Sequence, residues 1–374
     1  MKSNNLYVLA APHSKNSYWW ANIKRGLIKN SFEYKYNLVY LTSDDLKMPS
    51  RISGEMVLIV GHNPAWINES IEALFALKAT PLLANTSMFQ GHRKTCSGIV
   101  LGLEDAILDT IEYLKSCGRE RIVFLGVNPD SISDKIKSDV FPNKNDIIFA
   151  PEGIEKCVDA FVKKLQDLKY NAALCANDTV AICLMKKMAE KGYKMPDDFF
   201  VIGMGNSFIG QGMTPPLSSI DFNYYEMGKQ AVNLYHNIKT SSPEYNMVLT
   251  LECKLIIRDS ARMPNYDVRS DSRREKNAIS SSESKYFDGE TVGGILSTEA
   301  FLQSCDYTDA KILVGLMNNK PIKAISEETF LGERAVRYRI ENLIKQKGFR
   351  NRSELTEFLK SSINNKKEGI KRND

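Results

Sequence analysis

Between residues 6 and 260, short apolar runs alternate with longer segments in which apolar residues recur every three or four positions. The runs are typical of buried strands and the segments of amphipathic helices, so their alternation predicts parallel sheets with right-handed crossovers. The predicted strands are Leu6–Ala11, Met56–Val60, Pro81–Ala84, Gly98–Leu101, Ile122–Val127, Ala172–Ala176, Phe200–Gly203 and Lys254–Ile257. The predicted helices are Trp19–Lys29, Ile67–Leu77, Leu103–Ser116, Ile154–Leu168, Thr179–Lys191 and Tyr225–Ile238.

This pattern stops near Arg262, where a charged stretch, Asp267–Lys276, is followed by the serine-rich Ser280–Ser284. Both stretches have the composition of a linker, which we place at 262–304. Within it, Thr291–Leu296 has the composition of a short strand. Helical spacing resumes at Asp309. The helices predicted there are Asp309–Asn318, Pro321–Glu328, Gly332–Lys347 and Asn351–Lys360.

The positive charge of the chain is concentrated at its carboxyl end. Residues 309–374 carry fifteen Lys and Arg against nine Asp and Glu, whereas residues 1–308 carry 35 and 36. Such an asymmetry predicts a polyanion as the partner of the last segment. We expect the helices to lie within 305–362 and the basic tail, 363–374, to be disordered.

The predicted helix Gly332–Lys347 has one apolar face, and its other face carries several cations. A helix fits the major groove of DNA, where Arg pairs with guanine or with phosphate. This interpretation makes Gly332–Lys347 a recognition helix. The predicted DNA-binding residues are Lys323, Glu333, Arg334, Ala335, Arg337, Tyr338, Arg339 and Lys345.

Four strings in this region resemble the LuxR-type helix-turn-helix family over about 55 residues: DAKIL from Asp309, PIKAIS from Pro321, ERAVRYRI from Glu333 and NRSEL from Asn351. Ser326 and Ala335 stand where that family usually has alanine and threonine, and Gly332 replaces its usual capping residue. Glycine is an acceptable N-cap. The alternative is a basic helical bundle that contacts protein.

Residues 173–219 and the closing string LIIRDS, from Leu255, resemble the ligand-binding region of the LacI/GalR repressors. The strings that carry the resemblance are LCAND from Leu174, MPDDFFVIG from Met195, PPLSSI from Pro215 and EMGKQA from Glu226. The resemblance implies a periplasmic-binding-protein-like fold of two α/β lobes over residues 1–261. A small all-α domain follows these lobes in the sequence. The expected fold class is therefore α/β with a carboxyl-terminal helix-turn-helix domain.

Polar and aromatic residues that follow the predicted strands are the candidates for ligand contact, because ligands bind at this edge of parallel sheets. The resemblance implies that the first strand-to-helix loop lines the ligand, and aromatic faces with hydroxyl-binding groups suit sugars. One of the two adjacent tryptophans is expected in the core. The candidate residues are His13, Ser14, Asn16, Tyr18, Trp19, His62, Asn63, Asn128, Asn177, Asp178, Asn206 and Asp221. Asn177 equally suits a helix cap.

Three departures from the LacI/GalR pattern leave the sensing function open. The arginine usual after the strand Ile122–Val127 is absent from Ser131–Lys135, and Met204–Ser207 replaces an acidic pair. LacI-type repressors also carry their DNA-binding helices at the amino terminus. We therefore retain two hypotheses: a regulator responsive to a small carbohydrate-like effector, and a constitutive DNA-binding or protein-interaction factor with a ligand-free dimerisation module.

The remaining patterns argue against other classes of function. The sequence contains no GxxxxGK[ST], HExxH or GxSxG motif, and its seven cysteines have no CxxC spacing. We therefore expect a non-enzyme without metal or cofactor, and reduced thiols. No long apolar segment or signal-peptide pattern is present, which predicts a cytoplasmic protein. The expected partners are double-stranded DNA, a carbohydrate-like effector and a second copy of the chain.

Overall fold

A computed structural model describes residues 4–11, 18–47, 52–61, 63–84, 96–241, 244–262 and 285–361. Over these ranges the chain folds into two α/β lobes, which are followed by a group of helices. Each lobe has one sheet with helices packed against it, as expected for apolar strands that need cover on both faces.

Lobe 1 contains a six-stranded sheet in which all the described pairings are parallel. Its strands, in the order β11-β5-β4-β3-β1-β2, are β1 (Asn5–Ala10), β2 (Asn37–Leu41), β3 (Met56–Val60), β4 (Thr80–Ala84), β5 (Ser97–Gly102) and β11 (Val248–Glu252). Its helices are α1 (Tyr18–Glu33), α2 (Pro64–Ala76) and α8 (Tyr224–Ser241). The strand side chains of Leu6, Val8 and Leu58 are almost completely buried, so the sheet forms the centre of the lobe.

Lobe 2 contains a second six-stranded sheet, in the order β12-β10-β9-β8-β6-β7, in which only the β10–β12 pairing is antiparallel among the described pairings. Its strands are β6 (Ile122–Val127), β7 (Ile147–Phe149), β8 (Ala172–Cys175), β9 (Phe200–Met204), β10 (Ser218–Asp221) and β12 (Lys254–Ile256). Its helices are α3 (Leu103–Ser116), α4 (Ile132–Val140), α5 (Ile154–Leu168), α6 (Asp178–Glu190) and α7 (Phe208–Gln211).

Within the described ranges the chain passes between the lobes three times: between β5 and α3, between β10 and α8, and between β11 and β12. Each lobe is therefore assembled from separate stretches of sequence. The first two passages leave from the carboxyl ends of parallel strands. This arrangement puts the strand ends of both lobes next to the passages, where ligands bind in open α/β sheets.

Helices α1 and α8 pack with their backbones nearly in contact, because each has a glycine at the crossing. A Cβ on Gly26 would lie 2.1 Å from the carbonyl oxygen of Tyr225, and one on Gly228 would lie 2.0 Å from that of Ile23. Asn30 fixes the pair further, since its amide donates to the Lys229 carbonyl at 3.1 Å and to the side chain of Asn233 at 2.8 Å.

Five α-helices and one short 3-10 helix, Lys285–Phe287, make up the described part of the chain after the lobes. The α-helices are α9 (Glu290–Gln303), α10 (Tyr307–Met317), α11 (Ile322–Thr329), α12 (Glu333–Lys347) and α13 (Arg352–Ser361). Their apolar faces meet in a common core, in which Leu313, Val336 and Leu355 are completely buried. Asp306 caps α10 by accepting from the backbone nitrogen of Asp309 at 2.8 Å, and Gly332 occupies the N-cap of α12.

These helices share a hydrophobic core with lobe 2. Val292 and Ile295 of α9 are completely buried in the same cluster as residues of α5 and α6. On α10, the Met317 side chain packs against Gly212, where a Cβ would lie 2.5 Å from the methionine methyl group. The helical group is therefore docked on lobe 2.

The structure confirms all eight predicted strands and all ten predicted helices, with shifts at their ends. The short strand that the sequence left open at Thr291–Leu296 does not form, because these residues belong to α9. The predicted linker 262–304 therefore contains a long helix, whose residues become buried against lobe 2. Sequence analysis also missed α4, α7 and the strands β2, β7, β10 and β11, which are short or partly exposed. The tail 363–374 lies outside the described residues.

Candidate functional site

The polar residues predicted at the strand ends of lobe 2 lie along one edge of the sheet. Asn128, Asn177 and Asn206 directly follow or nearly follow β6, β8 and β9, and Asp221 is the last residue of β10. These four strands are consecutive neighbours in the sheet. The structure therefore brings together the candidates that the sequence placed in four separate loops.

Asn177 uses both ends of its side-chain amide. Its oxygen caps α6 by accepting from the backbone nitrogen of Val180 at 3.0 Å, as the sequence predicts. Its nitrogen donates to the hydroxyl of Tyr286 at 2.8 Å. That hydroxyl in turn donates to the carbonyl oxygen of Gly126 in β6, at 2.7 Å. Sequence analysis did not identify Tyr286, which is 109 residues away from Asn177.

Asp178, the next residue, is completely buried and engaged in internal hydrogen bonds. Its carboxylate accepts from the Ser219 hydroxyl at 2.6 Å and from the backbone nitrogen of Ser207 at 2.5 Å. Burial raises the pKa of Asp178, while these two donors act in the opposite direction. Asp178 thus ties the ends of β8, β9 and β10 to one another.

Asn206 and Asp221 belong to the same buried edge, where Arg258 supplies the positive charge. The Arg258 guanidinium donates to the side-chain oxygen of Asn206 at 2.6 Å and to the Leu217 carbonyl at 2.6 Å. The Asn206 amide donates to the Asp221 carboxylate at 3.3 Å. Burial raises the pKa of Asp221 to about 6 and lowers that of Arg258 to about 10.

Arg258 stands in the closing string LIIRDS, which sequence analysis noted without giving this arginine a role. Its signal was a charged residue directly after the apolar strand-like run Leu255–Ile257, since a charge that becomes buried needs partners. Arg258 thus brings a positive charge to the ends of β9 and β10. This is where the LacI/GalR pattern has an acidic pair and this chain has Met204–Ser207 instead.

A second cation reaches the strand ends from α4. Lys137 is 5% exposed, and its amine donates to Asp134 at 2.7 Å and to the Ala176 carbonyl at the end of β8 at 3.0 Å. Asp134 also accepts from the backbone nitrogen of Asn128 at 3.0 Å. The Lys137 amine lies 5.7 Å from the centre of the Phe222 ring.

The LacI/GalR pattern predicts an arginine within Ser131–Lys135, which this chain lacks. Lys137, which lies two residues further on, was not among the predicted site residues. The i, i+3 spacing of Asp134 and Lys137 was the available signal, since such pairs meet on a helix. A buried, paired lysine next to an aromatic ring gives this edge a positive group that suits hydroxyl or carboxylate oxygens.

Lobe 1 contributes fewer described candidates. Trp19 is half-buried, and its ring centre lies 6.5 Å from that of Tyr224, which follows the passage out of lobe 2. Trp20 is 6% exposed and is the core tryptophan that the sequence predicted. Asn63 caps α2 through the backbone nitrogen of Trp66 at 3.1 Å. Tyr18 is the first residue of α1, and its side chain lies outside the described part of the structure; the same is true of the whole of His13, Ser14, Asn16 and His62.

The second candidate site is the outward face of α12. Arg334, Arg337 and Lys345 are exposed, and their spacing places them on one side of the helix. Tyr338 lies between them with 65% of its surface exposed. Glu333 pairs with Arg337 at 3.6 Å, and Lys323 is exposed on α11. These residues form a basic surface on the helix for which the sequence predicted DNA contact.

Arg339 does not share this outward face, and its role in DNA binding stays a prediction. Its guanidinium donates to Asp306 at 2.7 Å and to Asp309 at 2.8 Å, both at the start of α10. The two carboxylates raise the pKa of Arg339. Ala335 is half-buried on the same inner side, at a groove of about 300 Å³ that Asp309, Tyr338 and Asn342 also line.

Among the residues that the structure describes, no group of three or more His, Cys, Asp or Glu side chains is arranged to hold a metal ion. All seven cysteines are present as free thiols. Over the same residues, no helix is both long and apolar enough to cross a membrane.

Comparison with known proteins agrees with the two-lobed architecture. A family profile described as a periplasmic binding protein-like domain matches residues 111–261. The HTH-type transcriptional regulator GalR of Streptococcus thermophilus is 24% identical over 272 residues, which cover 67% of this chain and 78% of GalR. The HTH-type transcriptional repressor PurR of Histophilus somni is 29% identical over 138 residues, but these make up only 37% of either chain.

Among solved structures, a LacI family transcriptional regulator from Enterococcus faecium with bound ribose superposes with a TM-score of 0.52 and 17% identity, over 69% of this chain and 98% of that one. At this identity the likeness shows the fold. The chain is thus similar to periplasmic-binding-protein-like domains and, over its two lobes, to LacI-type regulators in fold, and the relatives named above are transcriptional regulators.

Proposed function

We propose that the protein is a ligand-responsive transcription regulator that binds DNA through α11 and α12 and senses a small hydroxylated molecule at the strand ends of the two lobes. The observation that carries this proposal is the basic outward face of α12, which stands on a helical group docked to a sensor-type fold. The named relatives, GalR and PurR, are regulators of the same fold class and support it.

The geometry of α11 and α12 supports DNA binding by a helix-turn-helix. The two helices are joined by Phe330, Leu331 and Gly332, and Phe330 has the left-handed backbone conformation that a tight turn requires. The resemblance to LuxR-type domains makes α12 the recognition helix. In this arrangement Arg334, Arg337 and Lys345 face the DNA, while Lys323 on α11 is placed to meet a phosphate.

Arg339 has a different role in this proposal. Because its guanidinium is bound by two carboxylates of α10, it holds α12 at a fixed position on the helical core. We therefore treat Arg339 as a positioning residue, and Ala335 as part of the inner groove. Glu333 contributes by orienting Arg337 through their ion pair.

The effector is proposed to be a carbohydrate or a related polyol. Asn128, Asn177 and the buried cation Lys137 supply hydrogen-bonding groups, and Trp19 and Phe222 supply aromatic surface near the same edge. Such a combination suits the hydroxyls and the apolar faces of a sugar. We further propose that the protein acts as a homodimer, since paired recognition helices match two half-sites of DNA.

Substitution on α12 tests the proposal directly. We expect Arg334→Ala and Arg337→Ala each to weaken binding to a duplex selected from a random-sequence library by at least tenfold, because each removes a group that binds a base or a phosphate. The slope of the binding constant against salt concentration should fall by about one for each phosphate that a variant no longer neutralises. Fluorescence anisotropy of the labelled duplex provides both measurements.

Lys163→Ala is the matched control, because this exposed lysine lies on α5 in lobe 2, at a distance from α12. It removes the same charge and should leave affinity unchanged. If all three variants bind the selected duplex like the wild type, α12 is not the DNA-binding helix.

A second candidate function, a constitutive DNA-binding or protein-interaction factor with the lobes as a dimerisation platform, is favoured by one observation. The strand-end groups of lobe 2 are already hydrogen-bonded within the chain, Asn177 by Tyr286 and Asn206 by Arg258. A thermal-shift series with ribose, galactose, cellobiose and glycerol separates the two functions. A ligand that binds only the folded state raises its stability, so a complete lack of stabilisation favours the platform.

A further inference from the structure

Tyr286 is held at the strand-end edge of lobe 2, far in sequence from Gly126 and Asn177, to which its hydroxyl is hydrogen-bonded. Its side chain is 4% exposed and lies in the cluster that also contains residues of β6, β8, α5 and α6. The hydroxyl makes two hydrogen bonds of opposite sense, one to the Gly126 carbonyl and one from the Asn177 amide, at 2.7 and 2.8 Å. A donor and an acceptor that converge on one point form a specific site for a hydroxyl group.

The residues after Tyr286 continue along the same edge. The Glu155 side chain, in the first turn of α5, accepts from the backbone nitrogen of Val292 at 3.0 Å. Gly289 is packed so closely on Glu155 that a Cβ would lie 2.2 Å from its carboxyl carbon. The chain therefore runs across the amino-terminal ends of α5 and α6 and leads directly into α9.

Glu299 fixes α9 to lobe 2 at a second point. One of its carboxyl oxygens accepts from the backbone nitrogen of Ile209 at 2.7 Å, and the other accepts from Phe208 at 3.4 Å. A third contact follows on α10, since the Asn318 amide donates to the Gln211 carbonyl at 3.2 Å. Tyr286 is thus the first of a series of contacts that dock the helical group.

We propose that Tyr286 is an internal occupant of the ligand site in lobe 2, and that a ligand hydroxyl competes with it for Asn177 and Gly126. Binding of such a ligand and docking of residues 286–303 then exclude each other. The helices that follow are released or shifted when the ligand enters. This inference rests on the proposed function, because it assigns the lobe-2 part of the sensing site and its connection to α12.

Competition between Tyr286 and the ligand determines how tightly the ligand binds, and it determines that binding weakens the docking of residues 286–303. Because Tyr286 closes the site in part of the molecules, the apparent dissociation constant of the ligand is the intrinsic one divided by the fraction of molecules in which the site is open. By reciprocity, the ligand weakens docking by the same factor by which docking weakens ligand binding. The ligand class follows from the contacts: a ring that bears a hydroxyl able both to donate and to accept.

Phenol is a suitable probe, because it reproduces the ring and the hydroxyl of the tyrosine side chain. In the full chain, Tyr286→Ala opens space beside Asn177 and Gly126. We expect phenol to bind this variant at least tenfold more tightly than the wild type, as measured by calorimetry and by the rise in melting temperature. Benzene, which lacks the hydroxyl, should bind more weakly than phenol. Equal responses of variant and wild type, or of phenol and benzene, would overturn the assignment.

Hydrogen–deuterium exchange of the same proteins tests the docking. Amides of 290–303 should exchange at least tenfold faster in Tyr286→Ala than in the wild type. Phenol at saturating concentration should raise their exchange in the wild type and should not slow it in the variant, because ligand binding and docking exclude each other. Tyr286→Phe keeps the ring and loses the hydroxyl, so it should show a smaller increase and remain folded. Tyr193→Ala is the matched control, since Tyr193 is another tyrosine that packs against the same core in lobe 2.

Unchanged exchange at 290–303 in both Tyr286 variants would refute the role of Tyr286 in docking. None of these measurements uses DNA or a sugar, so they are independent of the α12 substitutions and the thermal-shift series. A protein that binds DNA as proposed but fails the phenol and exchange tests retains the regulator function and loses only this mechanism.

Discussion

At the scale of single residues, the structure separates cations that face outwards from cations that are used internally. Arg334 and Arg337 are exposed, whereas Arg339, two positions further along the same helix, is bound to Asp306 and Asp309. The sequence alone gives all three the same charge and a similar setting. The difference arises from α10, whose amino-terminal carboxylates meet only one side of α12.

This distinction predicts different consequences for Arg339. Arg339→Ala should lower the stability of the helical group by about 1 kcal/mol, because it removes the cation that pairs with Asp309, a carboxylate with 17% of its side chain exposed. Differential scanning calorimetry should record a fall in melting temperature of about 2–4 °C. DNA affinity should fall as well, but the salt slope should stay that of the wild type, since Arg339 neutralises no phosphate in this arrangement.

Arg339→Lys tests whether a positive charge at this position is sufficient. A lysine keeps the charge and can form one ion pair, but it cannot bind both carboxylates at once as the guanidinium does. We expect this variant to be intermediate in stability. A reduced salt slope with unchanged stability would mean that Arg339 contacts DNA directly and that the positioning role is incorrect.

At the scale of helices and strands, close packing of α1 on α8 depends on two glycines. Gly228→Ala should cost about 3 kcal/mol, because a Cβ would lie 2.0 Å from a backbone oxygen and the helices would have to separate. Gly293→Ala is the matched control: this glycine is exposed on α9, and a Cβ added to it would have no atom of the described residues within 4 Å outside its own helix turn. It should instead stabilise α9 by about 0.5–1 kcal/mol.

Urea denaturation of the two variants and the wild type measures both effects. Similar destabilisation by both substitutions would indicate that helix composition, rather than the contact between α1 and α8, limits stability.

Most helices and buried strands could be predicted because their apolar spacing is strong and local. The strand β11 was missed because its residues are largely exposed at a sheet edge, which leaves no apolar run. Helix α9 lies in the predicted linker because Gly293 and Gly294 and a β-branched start hide its helical character. It is buried by lobe 2 on one side and by Phe349 and Phe358 of its own group on another, and neither contact is visible in its local sequence.

The sequence predicts only those residues of the site that directly or nearly follow a recognisable strand. Asn128, Asn177, Asn206 and Asp221 were found because each follows a recognisable strand. Their partners could not be found, since Tyr286 lies 109 residues from Asn177 and Arg258 lies 52 residues from Asn206. Pairings of that separation depend on the complete fold, and local sequence patterns carry no information about them.

At the scale of the whole molecule, the docking of the helices on lobe 2 depends on a buried carboxyl group. Burial raises the pKa of Glu299 to about 8, from an ordinary value of 4.5. Between these two values the folded protein holds a proton that the unfolded chain has lost. Stability from this group is therefore complete at low pH and decreases as the pH rises towards 8, by up to about 1.4 kcal/mol per unit.

Glu299→Gln removes the titrating carboxyl group, so the stability of the variant should depend less on pH than that of the wild type. Melting temperatures measured from pH 5 to 9 should show the wild type losing stability relative to the variant as pH rises, on top of a constant offset from the altered hydrogen bonds. Asp221 is present in both proteins, so its contribution cancels in the difference, whereas Asp178 acts on Glu299 electrostatically and is part of the raised pKa that the experiment measures. Parallel profiles would mean that Glu299 is ionised in the folded protein throughout this range.

The core that α9 shares with lobe 2 also determines which pieces of the chain are interchangeable. The change in composition near residue 262 suggests a boundary there, but α9 and α10 both pack on lobe 2, α9 through Val292 and Ile295 and α10 through Met317 against Gly212. A chimaera that joins these lobes to a different helical group therefore has to preserve both sides of this contact. A junction at residue 262, or one between Gln303 and Tyr307, separates side chains that are buried together.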